Sequence, residues 1–203
     1  MSSSTARRLF TLGMAFAAVA SVVAVAGPSG TAVVDVGALM SRASAALARR
    51  EWASVIRELS EALSRARAEA PLQVSRVVVV DGPHVGLGVY SPVAGGRVLD
   101  RRLRLYVEVE NLVTRALPDG RSELSLDVTG HFSSVAADGS TESLGKKSLG
   151  AQLVQTFRAN GIHSFGIDVA LGADAPAGAY VVEVEVADRI GVKNARQSVG
   201  FVL

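Results

Sequence analysis

The chain predicts a mainly β protein, an antiparallel immunoglobulin-like β-sandwich of seven or eight strands preceded by an amphipathic helix or helix pair. Three observations carry this. Leu103, Leu105, Val107 and Val109 alternate with Arg102, Arg104, Tyr106, Glu108 and Glu110, and Tyr180, Val182, Val184 and Val186 alternate with Val181, Glu183 and Glu185. That period of two is the mark of strands with one buried and one wet face. Turn-forming clusters then recur through the C-terminal two thirds with no helical stretch between them, and neighbours joined by such short links pair antiparallel. Finally, the one long segment of helical composition lies wholly upstream of the strands. The expected organisation is a signal peptide over 1–26, a linker over 27–38, a helical segment over 39–70 and a β-sandwich domain over 71–203.

The leader has three parts. A charged start ends at Arg7 and Arg8, an apolar stretch follows from Leu9, and small residues at Ala24 and Ala26 precede Gly27-Pro28. This is the order of a secretory signal, and cleavage is expected after Ala26. Leu9 to Ala26 is 18 residues long, close to a membrane span, so an uncleaved anchor is the alternative. Positive charge stays on the cytoplasmic side, which leaves the C-terminal part outside in either case. Arg7-Arg8-Leu9-Phe10 is similar to a twin-arginine signal, while Ala6 and Thr11-Leu12 depart from that motif, so the general and twin-arginine routes both stay open.

Beyond a Gly/Ser/Thr linker, Leu39 to Ala70 is rich in Ala, Arg, Glu and Leu and holds no Gly or Pro, which favours helix. Trp52, Val55, Ile56, Leu59, Leu63 and Ala66 form an apolar stripe opposite Arg57, Glu58, Glu61, Arg65 and Arg67, and this face is expected to dock as core. Pro71 ends the helix by forcing residue 70 out of the α region. Weaker strand patterns follow at 74–80, 122–134, 141–148, 150–158, 163–171 and 196–203. Pro118-Asp119-Gly120, Asp138-Gly139, Asn160-Gly161 and Pro176-Ala177-Gly178 supply turns between strands. Residues 81–96, with five glycines and two prolines, are long for a sandwich loop. Gly82, His84, Gly86, Gly88 and Tyr90 within it are the candidate binding residues.

Composition narrows the function. Aromatics are 5% of the chain, low for a carbohydrate face or a base-stacking platform. The formal charge of +2 falls to about zero once Arg7 and Arg8 leave with the leader. The remaining Arg and Lys are scattered among acids without a phosphate-neutralising stripe, so no nucleic acid is expected. There is no cysteine, which removes disulfides, thiolate metal sites and a lipid-modified cysteine.

Catalytic motifs are incomplete. Gly86-Leu87-Gly88 gives half a dinucleotide fingerprint, but Ser91 takes the third glycine's place and Pro92 blocks the helix that should receive the pyrophosphate. Gly145-Lys146-Lys147-Ser148 ends like a phosphate loop, yet its spacing from Gly139 is off by one. His84, His131 and His163 are the only histidines, and no pair has local metal-site spacing. Ser133, Ser134 or Ser164 could join a histidine only through folding, and no nucleophile elbow exists. Glu108 and Glu110, like Glu183 and Glu185, share an outer sheet face, where four carboxylates on neighbouring strands could hold a cation. A solvated face is the simpler reading, and neither a cofactor nor a metal is expected.

Glu51-Trp52 to Leu63, Ala70-Pro71-Leu72, Gly86-x-Gly88-x-Tyr90, Leu105 to Asn111 and Pro176-x-Gly178-x-Tyr180 to Asp188 together resemble a group of uncharacterised exported bacterial proteins. These join a helical segment to a C-terminal immunoglobulin-like β-sandwich. The resemblance covers about residues 50–203 and implies architecture and location; it carries no activity and no functional residues. The expected function is an extracytoplasmic, non-catalytic protein, periplasmic, cell-surface or secreted, that binds another protein or an envelope component. A membrane-tethered structural protein with an uncleaved leader is one alternative. A secreted hydrolase with a site assembled only on folding is the other.

Overall fold

A computed structural model describes residues 36–157 and 161–203, and the leader with Ala24 and Ala26 lies outside the described residues. The chain is mainly β, with two helices followed by antiparallel sheets.

Helix α1 spans Val36–Ala48 and α2 spans Trp52–Glu69. Helix therefore begins inside the stretch expected to be linker. The expected helical segment is broken by Arg49-Arg50-Glu51, where Arg50 adopts φ 58° and Glu51 N–H returns to Ala46 O at 3.0 Å. A left-handed residue after a helix is usually Gly, and with Arg there the composition reads straight through the break. Leu39, Ala43 and Ala46 of α1 are buried, as are Val55 and Ala62 of α2, and the two helices pack on each other. The expected core stripe behaves otherwise: Trp52, Ile56, Leu59 and Leu63 are exposed. The small-residue seam made by α1 turns α2 so that its largest apolar side chains face outward.

Ala70 is extended, at φ −65° and ψ 147°, as Pro71 requires. Lys193 covers the end of α2 by donating from Nζ to Arg67 O at 3.0 Å and Ala70 O at 2.6 Å, a favourable place for a cation. Burial pulls its pKa below the usual lysine value. Asn111 Nδ2 donates to Pro71 O at 3.0 Å, so two side chains of the β region hold the junction.

The strands are β1 (Gln73–Val79), β2 (Arg102–Glu110), β3 (Arg115–Ala116), β4 (Ser122–Val135), β5 (Thr141–Thr156), β6 (Ile162–Ala170), β7 (Ala179–Asp188) and β8 (Lys193–Val202). One sheet has the order β1-β2-β6. In the other, β4 lies between β5 and β7, β8 follows β7, and β3 adds two residues to the end of β4. Leu103, Leu105, Val107 and Val109 of the first sheet and Leu126, Val128, Val182, Val184 and Val186 of the second belong to one buried core. The two alternating runs of the sequence are thus β2, central in the first sheet, and β7, flanked by β4 and β8 in the second.

The expected strands 141–148 and 150–158 are one strand. Ladder shifts opposite Val128/Thr129 and Phe132/Ser133 mark two bulges, and Gly145 and Gly150 beside them have φ 112° and 115°. Each extra residue flips the alternation, so one strand reads as two. Strand β8 also starts before residue 196, because the β7–β8 turn is built on Asp188. Its carboxylate, 1% exposed, accepts N–H bonds from Val113, Ile190 and Gly191 at 2.9 to 3.0 Å.

Candidate functional site

The outer face of β2 carries Arg102, Arg104, Tyr106, Glu108 and Glu110, and Tyr106 is the exception among them at 1% exposure. Residues 81–96 fold over it. The ends of this loop are zipped together by Asp81 N–H to Ser91 O and Val93 N–H to Val79 O, both 2.9 Å. Tyr90 stacks on Tyr106 with centroids 4.4 Å apart, and His84 stacks at 5.8 Å. Gly88 N–H donates to Tyr106 Oη at 2.6 Å, and that hydroxyl donates to Glu108 Oε1 at 2.5 Å. Arg76 donates to Tyr90 Oη, lies over its ring and faces Glu108 at 3.7 Å. Burial, then the bond to Glu108, raises the Tyr106 pKa and keeps it a donor; bonds from Gly88 and Ser164 pull partly the other way.

His84 Nε2 lies 3.0 Å from Ser164 Oγ on β6. The approach depends on Gly166, which pairs with Tyr106 across the ladder. A Cβ at 166 would sit 2.6 Å from His84 Cβ. Four of the five candidate residues thus have a definite place: His84, Gly88 and Tyr90 clamp the loop, and Gly86 closes its tip by accepting from Val89 N–H at 3.1 Å. Gly82 lies at the rim of the cleft described next. Outward from the clamp, Val85, Leu87 and Val89 remain 50–73% exposed.

Beside the loop base, a cleft of about 710 Å³ runs along β6 toward β5, with His84, Arg104, Gln152, His163 and Asp168 in its wall. Among the described residues β6 pairs in the ladders with β2 alone and β5 with β4 alone, so both are edge strands here. Arg102 makes a two-pronged pair with Asp168 at 3.2 and 3.0 Å, and Arg104 lies 3.6 Å from the same carboxylate. Burial, then the nearby His84, lowers the His163 pKa and favours its neutral form.

The other candidate sets do not converge. Glu108 and Glu110 lie on β2 and Glu183 and Glu185 on β7, in different sheets, so the four carboxylates are not neighbours. Glu185 accepts from His131 at 2.9 Å and Arg196 at 3.1 Å, and Glu183 accepts from Arg196 at 3.3 Å. Burial works to raise the Glu185 pKa, but the hydrogen bonds from His131 and Arg196 prevail and hold it low. Among the described residues no group of three or more His, Asp or Glu is placed to hold a metal ion. Ser133 and Ser134 lie on β4, in the other sheet from the His84 contacts. Ser164 is 6% exposed, and among the described residues no carboxylate hydrogen-bonds His84.

Sequence reasoning named Ser164 as a serine that could meet a histidine only through folding, as it does with His84, but missed the parts played by Tyr106, Arg76 and Gly166. Tyr106 carried a readable signal: an aromatic among Arg and Glu on the wet side of a strand needs a cover.

No family model matches the chain, and no curated protein matches it. Solved structures with partial likeness include an alkylpurine DNA glycosylase, AlkC, of Pseudomonas fluorescens bound to DNA containing an abasic-site analogue. It is 15% identical over 74% of this chain and 36% of that one, with a TM-score of 0.37. The sporulation control protein Spo0M of Bacillus subtilis is 11% identical over 66% and 49%, at 0.31. A beta-glucuronidase of Bacteroides uniformis is 12% identical over 65% and 12%, at 0.30. The chain spans less than half of each, and likenesses at these scores carry neither fold nor activity to it. Among the described residues no helix is long and apolar enough to cross a membrane.

Proposed function

We propose that this chain is an exported, non-catalytic binding protein that recognises another protein through the loop 81–96. One observation carries the reading: Val85, Leu87 and Val89 are exposed on a loop whose base is clamped to Tyr106. A binding loop that is already ordered loses little conformational freedom on association. Exposed aliphatic side chains on such a loop then fit an apolar hollow in a partner. Export rests on the three-part leader of residues 1–26, and the intact mass of the exported product tests it, since retention of those residues would refute cleavage.

The β domain is read as immunoglobulin-like. Its order β1-β2-β6 against β5-β4-β7-β8 matches strands A, B and E facing C′, C, F and G. Tyr180, at the start of β7, donates its hydroxyl to Pro176 O at 2.6 Å, in the manner of the tyrosine corner of that fold. Loop 81–96 is then an insertion after the first strand, whose continuation rejoins the opposite sheet through Val98 N–H to Val202 O at 2.8 Å.

The test is photo-crosslinking from position 87 of the exported protein in its native cells, followed by recovery of adducts. A discrete partner adduct that vanishes in Val85→Ser, Val89→Ser, at unchanged melting temperature, supports the reading. An adduct pattern indifferent to those changes refutes it.

One distance favours a second reading, a secreted hydrolase: the His84–Ser164 pair at 3.0 Å. A nucleophilic serine needs access and an oriented base. Ser164 lies beneath the loop, and His84 is spent on clamping it.

A further inference from the structure

The helical hairpin exposes a second apolar surface, independent of the loop. Trp52, Ile56, Leu59, Leu63 and Ala66 follow the spacing four, three, four, three, the heptad repeat of a helix seam that faces another helix. Helix α1 does not occupy that seam, since it packs on Val55 and Ala62 instead. Met40, Leu47, Trp52, Ile56, Leu59 and Leu63 are all 42–65% exposed. At roughly 200 Å² for a large residue, their open portions come to about 600 Å² per chain, at the upper end for a single patch on a monomer. A standard interface buries about 800 Å² per partner, so this surface with its rim is of the size a stable dimer needs.

Charge points to the same occupant. In a two-fold contact each group meets its own copy or a near neighbour, so an unpaired charge on the patch would face itself. None of the exposed heptad positions is charged. Several of the hairpin's ions are tied internally: Arg42 to Glu58 at 2.8 Å, Arg65 to Glu61 at 2.6 Å and Arg49 to Glu51 at 2.7 Å. The seam itself therefore sets no charge against its own copy.

We infer that the α1–α2 hairpin is a homodimerisation element, and that two chains join through the Trp52–Leu63 seam into a four-helix arrangement. Shallow helix crossing suits a seam of this period. The two loops 81–96 are then carried on one dimer, which raises the avidity of any partner that presents two sites.

Trp52 is the only tryptophan, so its emission reports on the seam directly. The full chain is followed by sedimentation and fluorescence over about a hundredfold range of concentration. The mass is expected to rise from one chain to two, with Trp52 emission shifting to the blue in step. Ile56→Glu, Leu63→Glu is expected to weaken association by more than about a hundredfold, at an unchanged melting temperature of the β domain. A concentration-independent single-chain mass overturns the inference. So does a dimer that survives the double substitution, a blue emission already present in the single-chain species, or a seam filled by a different protein.

Discussion

Replacing Tyr106 by Phe tests whether the loop is clamped as described. The ring, and with it the stacking on Tyr90 and His84, is kept; the hydroxyl is lost. That hydroxyl receives the Gly88 N–H at 2.6 Å and donates to Glu108 at 2.5 Å. A neutral hydrogen bond contributes about 1 kcal/mol net and one to a charged group about 1.5–3 kcal/mol. Glu108 keeps Arg76 nearby and Gly88 is open to water, so the net loss is placed at about 2 kcal/mol, somewhat below that sum. If the loss falls on loop opening, amide exchange at 82–90 accelerates about thirtyfold, since 1.4 kcal/mol is a factor of ten. If it falls on global unfolding, the melting temperature drops by about 4–8 °C. Hydrogen exchange read by mass spectrometry, beside a thermal melt, separates the two. Unchanged loop exchange together with an unchanged melt would mean that Tyr106 does not hold the loop, and the reading of a pre-ordered binding loop would go with it.

The same tyrosine gives a pH dependence. Its folded pKa lies above the unfolded value near 10, so its stabilising contribution is complete below that value and is lost as pH rises through the folded pKa; Tyr106→Phe should flatten that part of the alkaline melting curve, and identical curves would contradict the assignment. Gly166→Ala places a methyl 2.6 Å from His84 Cβ; displacing His84 from Ser164 should cost about 1–3 kcal/mol, read as a lower melting temperature with faster exchange at 82–85, whereas a neutral melt would show that the loop yields freely. Asp188→Ala leaves three backbone N–H groups without their acceptor and should cost about 3 kcal/mol or more, with the β7–β8 turn opening first in hydrogen exchange; retention of wild-type stability would refute its role as a turn staple. Ser164 should stay unlabelled by a serine-directed phosphonate probe while the fold is intact, and stoichiometric labelling there would revive the hydrolase.

The sequence made some of this legible for a simple reason: strands with one face in a shared core alternate, and β2 and β7, interior in their sheets, alternate most cleanly. Strand β5 lies at an edge with two bulges, so its period slips twice and one element looks like two. The helix break was hidden because Arg50 occupies a left-handed position that Gly ordinarily marks. For the helices, periodicity gave the apolar stripe correctly but could not say which side of it was covered. Two neighbouring stripes exist, one through Val55 and Ala62 and one through Trp52, Ile56, Leu59 and Leu63. Helix α1, rich in alanine, closes on the first because small residues allow near approach. Size then decides what is left outside, and the bulky stripe is the one without a cover.

The loop makes the converse case. Its glycines and prolines read as a long irregular loop, yet composition describes what the backbone can do alone, and tethering is done by side chains elsewhere. The groups that fix it, Arg76, Tyr106, Glu108 and Ser164, sit on β1, β2 and β6, up to 80 residues away in the chain from those they hold. Each is explicable in sequence terms as part of a wet strand face. Only Tyr106 is out of place there, because a tyrosine ring gains little from water and a strand's outer face otherwise needs no aromatic. The glycines acquire their meaning from it: Gly88 brings a backbone donor to its hydroxyl, and Gly166 clears the space in which His84 lies. A Gly-rich loop opposite a lone outward aromatic is therefore better read as a cover with a rigid base, and its exposed Val85, Leu87 and Val89 as side chains held out by that base.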